Sequence, residues 1–228
     1  MKKQRANTLQ ERFGFADDDL KKPKHDEILL WLDKRAEEFI KEIISWTKVW
    51  PAQFVERKVE AVTRALKTRA DSLRESIARF NNEQYRKALA LIDSYEGLGE
   101  PPPREFRMRK IWEDAVTNVG ATKYVVGFLD MVVLVDNPEL GVDDESQRLP
   151  KWYVTNCAQE GFGFEAKTAI PSLGELIRQL RLYQQYCRYQ LYVVSPDDGF
   201  AEQLVEQGFG FIKYPDGTIQ RPAAATRH

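Results

Sequence analysis

Residues 162–186, FGFEAKTAIPSLGELIRQLRLYQQY, carry two periodicities in succession. Phe162, Phe164 and Ala166 alternate with Glu165 and Lys167, which is the period-two pattern of a strand whose side chains leave on opposite faces. Ser172 with Glu175 three residues on is a capping box, and it opens a helix from about Leu173 to Cys187 whose Leu176 and Leu180 must pack on a sheet. Gln179 and Tyr183, four apart, share one face of that helix. A strand followed by a core helix is the unit from which an α/β fold is built. The anomaly is polar: Glu165, Lys167 and Gln179 stand among residues that otherwise read as core.

Working outward, EFRMRKIWEDAV (105–116) alternates well enough for a first strand and YVVGFLDMVVLVD (124–136) makes a near-continuous apolar second. WYVTNCAQEGFGFEAKT (152–168) is a third, and NPELGVDDESQRLP (137–150) between them reads as an acidic surface loop. After the helix come a strand at YQLYVVS (189–195), a short helix at DDGFAEQLVEQG (197–208) closed by Gly208, and a last strand at FGFIKYP (209–215). Three strands, helix, strand, helix, strand predicts an α/β sandwich around a mixed sheet flanked by helices.

The N-terminal part is helical by the same criteria. A polar lead-in ends at Pro23, and HDEILLWLDKRAEEFIKEIISW (25–46) repeats apolar residues at helical steps. From Pro51, Val55 through Phe80 keep steps of three and four, a helix of about 28 residues, or roughly 42 Å. Asn81 and Asn82 interrupt it and cap a second helix through Tyr85, Leu89 and Ile92 that stops at Gly97. GLGEPPPRE (97–105) is the linker. The organisation is a lead-in and core helix at 1–45, an inserted helical hairpin at 46–100, and the strand-rich core at 101–228.

The 228 residues are 43% hydrophobic and 30% charged, the composition of an ordinary globular chain. The net charge of −1 hides a division: residues 57–87 carry nine Lys or Arg against four Asp or Glu, and residues 101–228 carry fourteen against seventeen. The basic segment attracts a polyanion or serves as a solvated face. Cys157 and Cys187 form no disulfide framework and lack partners for a zinc or iron–sulfur site, so both are expected as small buried hydrophobes in a reducing cytosol. The start of the chain has no apolar run behind its basic residues, and no window reaches the length a membrane span needs. The expectation is a cytoplasmic protein without membrane contact.

Asp130, inside VVGFLDMVVLV, needs a partner, because burying an isolated carboxylate costs several kcal/mol. If the second and third strands are neighbours, it meets Glu165 and Lys167. Two carboxylates and an ammonium suit phosphodiester hydrolysis: the acids bind Mg²⁺, and the lysine orients the attacking water or neutralises developing charge. Acid-x-Lys occurs three times, at Asp19/Lys21, Glu56/Lys58 and Glu165/Lys167, and only the last lies on a core strand. The bland alternative is a salt bridge on an edge strand. Gln179 is placed to orient a metal-bound water or hold the lysine, and Tyr183 to reach a phosphate. Arg178, Arg181 and Arg188 flank that helix face, where they meet a nucleic-acid backbone or simply a solvated surface.

GFLD at 127–130, EAK at 165–167 and QLRLY at 179–183 resemble the acid, the E-x-K pair and the Q-x-x-x-Y motif of the PD-(D/E)xK nuclease superfamily, most of all its RecB-like exonuclease branch. The resemblance covers residues 24–45 and 104–215, with the hairpin at 46–100 as an insertion. It implies a restriction-endonuclease-like sandwich. Asp130, Glu165 and the carbonyl of Ala166 would bind Mg²⁺ or Mn²⁺, while Lys167 serves the water or the transition state. An additional acid is expected at Glu27, with Glu113 as its rival, and His25 stands either for a metal-binding histidine or for a helix cap. Leu129 occupies the place of the motif's proline, and the cysteines of the iron–sulfur branch are missing. The function so implied is a metal-dependent nuclease cutting DNA, exonuclease-like, with RNA as an alternative substrate and a homodimer through the hairpin. Its rivals are a Holliday-junction-resolving or restriction-type endonuclease, and a non-catalytic nucleic-acid-binding subunit that keeps the fold.

Overall fold

The computed structural model describes residues 23–118, 124–143 and 149–222. The lead-in up to residue 22, the middle of the 137–150 segment and the side chain of Cys157 lie outside the described residues. The elements are helices α1 (Pro23–Ile43), α2 (Ala52–Phe80) and α3 (Glu83–Asp93), then strands β1 (Met108–Thr117), β2 (Val125–Asp143) and β3 (Lys151–Ala166). They continue as α4 (Leu173–Tyr186), β4 (Gln190–Ser195), α5 (Ala201–Glu206), β5 (Gly210–Lys213) and β6 (Ile219–Gln220). Among the described residues, no helix is long and apolar enough to cross a membrane.

The strands join in chain order, β1 to β6, in one sheet. β1 and β2 are antiparallel, β3, β4 and β5 are parallel, and β6 returns antiparallel to β5. Parallel neighbours need crossovers, which α4 and α5 supply. The chain is thus an α/β protein with a mixed sheet, as the patterning predicts.

Three local expectations differ. β2 runs on to Asp143, so the acidic segment begins as strand: exposed Asn137 and Glu139 alternate with buried Pro138 and Leu140, a period masked in sequence by the proline and the acids. α3 ends at Asp93, where Ser94 caps it, short of Gly97. β6 is two residues long and shows no periodicity of its own; it is set by the turn in which Lys213 N donates to Thr218 O and Gly217, at φ 83°, donates to Lys213 O.

The chain divides into two compact units, one of Met1–Trp46, Arg107–Val135 and Gln159–His228, the other of Thr47–Phe106 and Asp136–Ala158. In the first, α4 and α5 cover one sheet face: Leu176, Leu180 and Tyr183 pack with Leu129, Leu191, Val193, Phe209 and Phe211. The register pairs Glu165 with Val193 and Val193 with Phe211, so Glu165 points into this layer. Phe164, Tyr192 and Ile212 alternate to the other face, with the Phe164 and Tyr192 rings 5.8 Å apart. The α1 stripe of Ile28, Leu32, Ala36, Phe39 and Ile40 is fully buried, and Asp33 ties α1 to β1 through Lys110 at 2.6 Å.

In the second unit, Asn81 closes α2 in a left-handed conformation (φ 48°) and Asn82 caps α3 by accepting from Gln84 N at 2.8 Å, as the sequence predicts. The seam between the helices is half-buried at Val55, Val62, Leu66, Leu73 and Ile77, with Ala70 buried. The proline linker is docked: Trp50 Nε1 donates to Pro102 O at 2.6 Å and Arg104 N to Lys48 O at 3.1 Å.

Gly127 on β2 has no room for a side chain, because a Cβ there would lie 2.5 Å from the buried Tyr183 ring. Gly127→Ala is therefore expected to destabilise the fold by about 1–3 kcal/mol, read as a lower urea midpoint at unchanged slope.

Candidate active site

Asp130 stands on β2, next to β3 in the sheet. Its Oδ2 accepts from Ala166 N at 2.7 Å, so a carboxylate takes the place of a ladder carbonyl at the end of β3. The neighbouring Lys167 N donates instead to Val194 O on β4 at 2.9 Å. β3 is thereby held on both sides where its acid projects.

Glu165 is 4% exposed. Its Oε1 receives Lys167 Nζ at 3.0 Å and Gln179 Nε2 at 2.8 Å. Gln179 Nε2 also donates to Tyr183 Oη at 2.9 Å, and Tyr183 Oη donates to Phe128 O on β2 at 3.1 Å. Because the Tyr183 hydroxyl has its proton on a backbone carbonyl, the amide of Gln179 must present nitrogen to both partners. This chain pins Oε1. The other oxygen, Oε2, is buried without a hydrogen-bond partner.

The electrostatics follow from that imbalance. Burial pushes the Glu165 carboxyl up from 4.5 to about 7; Lys167 opposes the rise, and the Asp130 charge adds to it. Burial, followed by the Glu165 charge, raises the Tyr183 phenol, so it stays protonated and a donor. His25 is 3% exposed, with Nε2 3.6 Å from Asp130 Oδ2. Burial alone would lower its pKa, but its hydrogen bond and charge interaction with Asp130 outweigh burial and raise it.

The five core residues of the sequence reading are thus brought together, with Ala166 between them. Others fall elsewhere. Glu27 is exposed, and two positions along a helix is about 200° from His25, so it is His25 that α1 presents to Asp130. Glu113 lies between the Trp112–Met131 and Asp114–Leu129 pairs, level with Asp130, but it is exposed and in a left-handed conformation (φ 49°). Tyr183 does not extend toward a substrate phosphate; its hydroxyl is spent on Phe128. Arg181 donates to Gln207 O at 2.7 Å and covers the Phe209 ring at 5.0 Å, a structural role that ties α4 to the turn after α5. Arg178 is exposed and bonds Gly174 O on its own helix, Arg188 is exposed, and Cys187 is half-buried. The structural contact that sequence reasoning underrated is His25 with Asp130; its only signal was a histidine in the first turn of the core helix.

Among the described residues, no three His, Cys, Asp or Glu side chains form a ready cation cage. The donors that do suit a cation are Glu165 Oε2, which is buried and lacks a partner, Asp130, whose contacts fall on Oδ2, and the Ala166 carbonyl. A set of one or two carboxylates fits Mg²⁺, which keeps several waters and takes substrate oxygens as its other ligands. Comparison with known protein families, curated proteins and solved structures finds no match to this chain.

A raised carboxyl means that the folded state holds the Glu165 proton more tightly than the unfolded state does. Its contribution to stability is therefore complete below about pH 4.5 and lost as pH rises through about 7. His25, also raised, acts with the same sign. In EDTA, the thermal midpoint is expected to fall across this window, and Glu165→Gln to flatten the fall while leaving the His25 portion; differential scanning fluorimetry against pH measures both.

Proposed function

We propose that this chain is a divalent-metal-dependent nuclease of the PD-(D/E)xK type with a restriction-endonuclease-like core, hydrolysing DNA phosphodiester bonds. One observation carries the proposal. Glu165 is held by Lys167 and Gln179 through a single oxygen, while the second is buried without a hydrogen bond beside Asp130. A protein gains nothing in stability from desolvating a carboxylate oxygen and giving it no donor. A cation arriving with a substrate supplies what is missing.

Asp130, Glu165 and the Ala166 carbonyl would hold Mg²⁺ or Mn²⁺. Bound there, the ion would polarise a phosphoryl oxygen and lower the pKa of a coordinated water. The remaining work falls to the chain. Lys167 keeps its ammonium on Glu165 Oε1 at 3.0 Å, which places a positive charge at the acid pair where it would orient the attacking water and neutralise charge on the phosphoryl oxygens. Gln179 and Tyr183 keep Oε1 occupied, which directs Oε2 to the cation. His25 Nε2, 3.6 Å from Asp130 Oδ2, steadies that oxygen. The order of acid, E-x-K and Q-x-x-x-Y on strand, strand and helix, in a mixed sheet covered by helices, supports the same assignment.

Purified protein is expected to degrade DNA with Mg²⁺ or Mn²⁺ and not with EDTA. Mononucleotide or short products from linear DNA alone indicate an exonuclease, cutting of closed circles an endonuclease, and an RNA arm tests the sugar. Lys167→Ala should lower the maximal rate by about 10²–10⁴-fold. Gln179→Ala should raise the Mg²⁺ needed for half-maximal rate by about 10–100-fold. Asp130→Ala or Glu165→Ala digesting DNA like the wild type would refute the assignment.

A further inference from the structure

The positive charge of the second unit is not spread along its helices. From Arg57 to Arg69, α2 carries five Lys or Arg against one acid, Glu60, whereas from Ala70 to Phe80 two face two. The first turn of α2 contains no acidic residue and its N-cap, Pro51, makes no side-chain hydrogen bond, so the positive end of the helix dipole adds to the same half. One side of this half holds a groove of about 610 Å³, lined by Ala61, Arg64, Ala65, Thr68, Arg69, Ser72 and Leu73.

At 100° per residue, Ala61, Ala65, Thr68 and Ser72 fall within about 60° of one another, roughly 120° around the helix from the half-buried seam, whose Leu73 borders the groove. Arg64 lines one rim and Arg69 the other, and Arg57 continues the Arg64 side two helical turns or about 10 Å earlier. Arg57, Ala61, Arg64, Ala65, Thr68 and Ser72 are all exposed. The floor is made of short side chains, and the Thr68 hydroxyl is used internally on Arg64 O at 3.1 Å. No Asn, Gln or aromatic residue occurs between Arg57 and Ser72. A cationic rim above a shallow small-residue floor admits a chain of phosphates closely, and it has no group suited to reading adenine edges or stacking bases. A second copy of the same face would bring like charges together.

We propose that the outer face of α2, from Arg57 to Ser72, docks the phosphodiester backbone of nucleic acid without regard to sequence. The identity of the polyanion rests on the nuclease reading; the charge and shape of the groove do not. The dock shares no residue with the proposed catalytic centre, so it sets binding and not the rate of the hydrolytic step.

The test is fluorescence anisotropy with a short labelled DNA duplex, in EDTA, at several salt concentrations, on Glu165→Ala protein and on the same protein carrying Arg57→Gln and Arg64→Gln. Two lost phosphate contacts should reduce the slope of log K against log salt by about 1.8 and weaken binding equally for unrelated sequences. Ala61→Glu with Ala65→Glu, which keeps good helix formers at exposed positions and is checked by circular dichroism, should weaken binding at least as much. In otherwise wild-type protein, Arg57→Gln with Arg64→Gln should raise KM and leave kcat unchanged. An unchanged slope and affinity in both sets would overturn the dock. So would sedimentation showing that Ala61→Glu with Ala65→Glu dissolves a dimer while DNA binding persists. The nuclease assignment fails separately, through cleavage by Glu165→Ala alone.

Discussion

Water has been removed from both oxygens of Glu165, yet donors reach only one of them. That asymmetry governs the rest of the centre. A buried carboxylate with all its bonds made would be inert, and one with none would simply hold its proton. Here the ammonium of Lys167 and the amide of Gln179 keep ionisation within reach, with the carboxyl titrating near 7, while Oε2 is left to gain more from a new ligand than any solvated group could. Asp130 raises the demand, since two negative charges at close quarters favour each other only when something positive lies between them.

The groups that prepare Glu165 also hold the fold together. The run from Phe128 O through Tyr183 and Gln179 to Glu165 links β2, α4 and β3 by hydrogen bonds in a layer whose other members are apolar. Gly127 is needed at the level of the Tyr183 ring because any Cβ would displace it. Core packing thus fixes the ring, the ring fixes the amide, and the amide fixes the acid. Such coupling lets a site be rigid without lying on a loop.

The two units differ in physical character. The polar side chains buried in the first are few, His25, Glu165, Gln179 and Ser195 among the described residues, and three of them gather at the acid pair. Among the described residues, the second has few fully buried apolar residues and carries six of the nine exposed large hydrophobics, together with the basic stretch from Arg57 to Arg69. Long-range attraction operates where charges face water and weakens with salt. On the proposed reading, selection of a polyanion and cleavage of its backbone need not share residues.

Much of this was legible in the amino-acid order, wherever the relation between residues was local. Alternation placed Glu165 and Lys167 on one face of a strand, a four-residue step placed Gln179 beside Tyr183, and Ser172, Asn81 and Asn82 marked helix ends, because backbone periodicity and capping chemistry act over a few residues. The reach of β2 past Pro138, the two-residue β6 and the docking of the proline linker did not show, since each depends on a partner strand or a remote carbonyl. The choice of His25 over Glu27 beside Asp130, the diversion of Arg181 to Gln207 and the loss of the Tyr183 hydroxyl to Phe128 were likewise settled only in three dimensions. Residue types and local spacing thus determined which groups were present and which pairs shared a face. Sheet register and helix docking, which bring separate elements of the chain together, decided which oxygen was satisfied and which was left waiting.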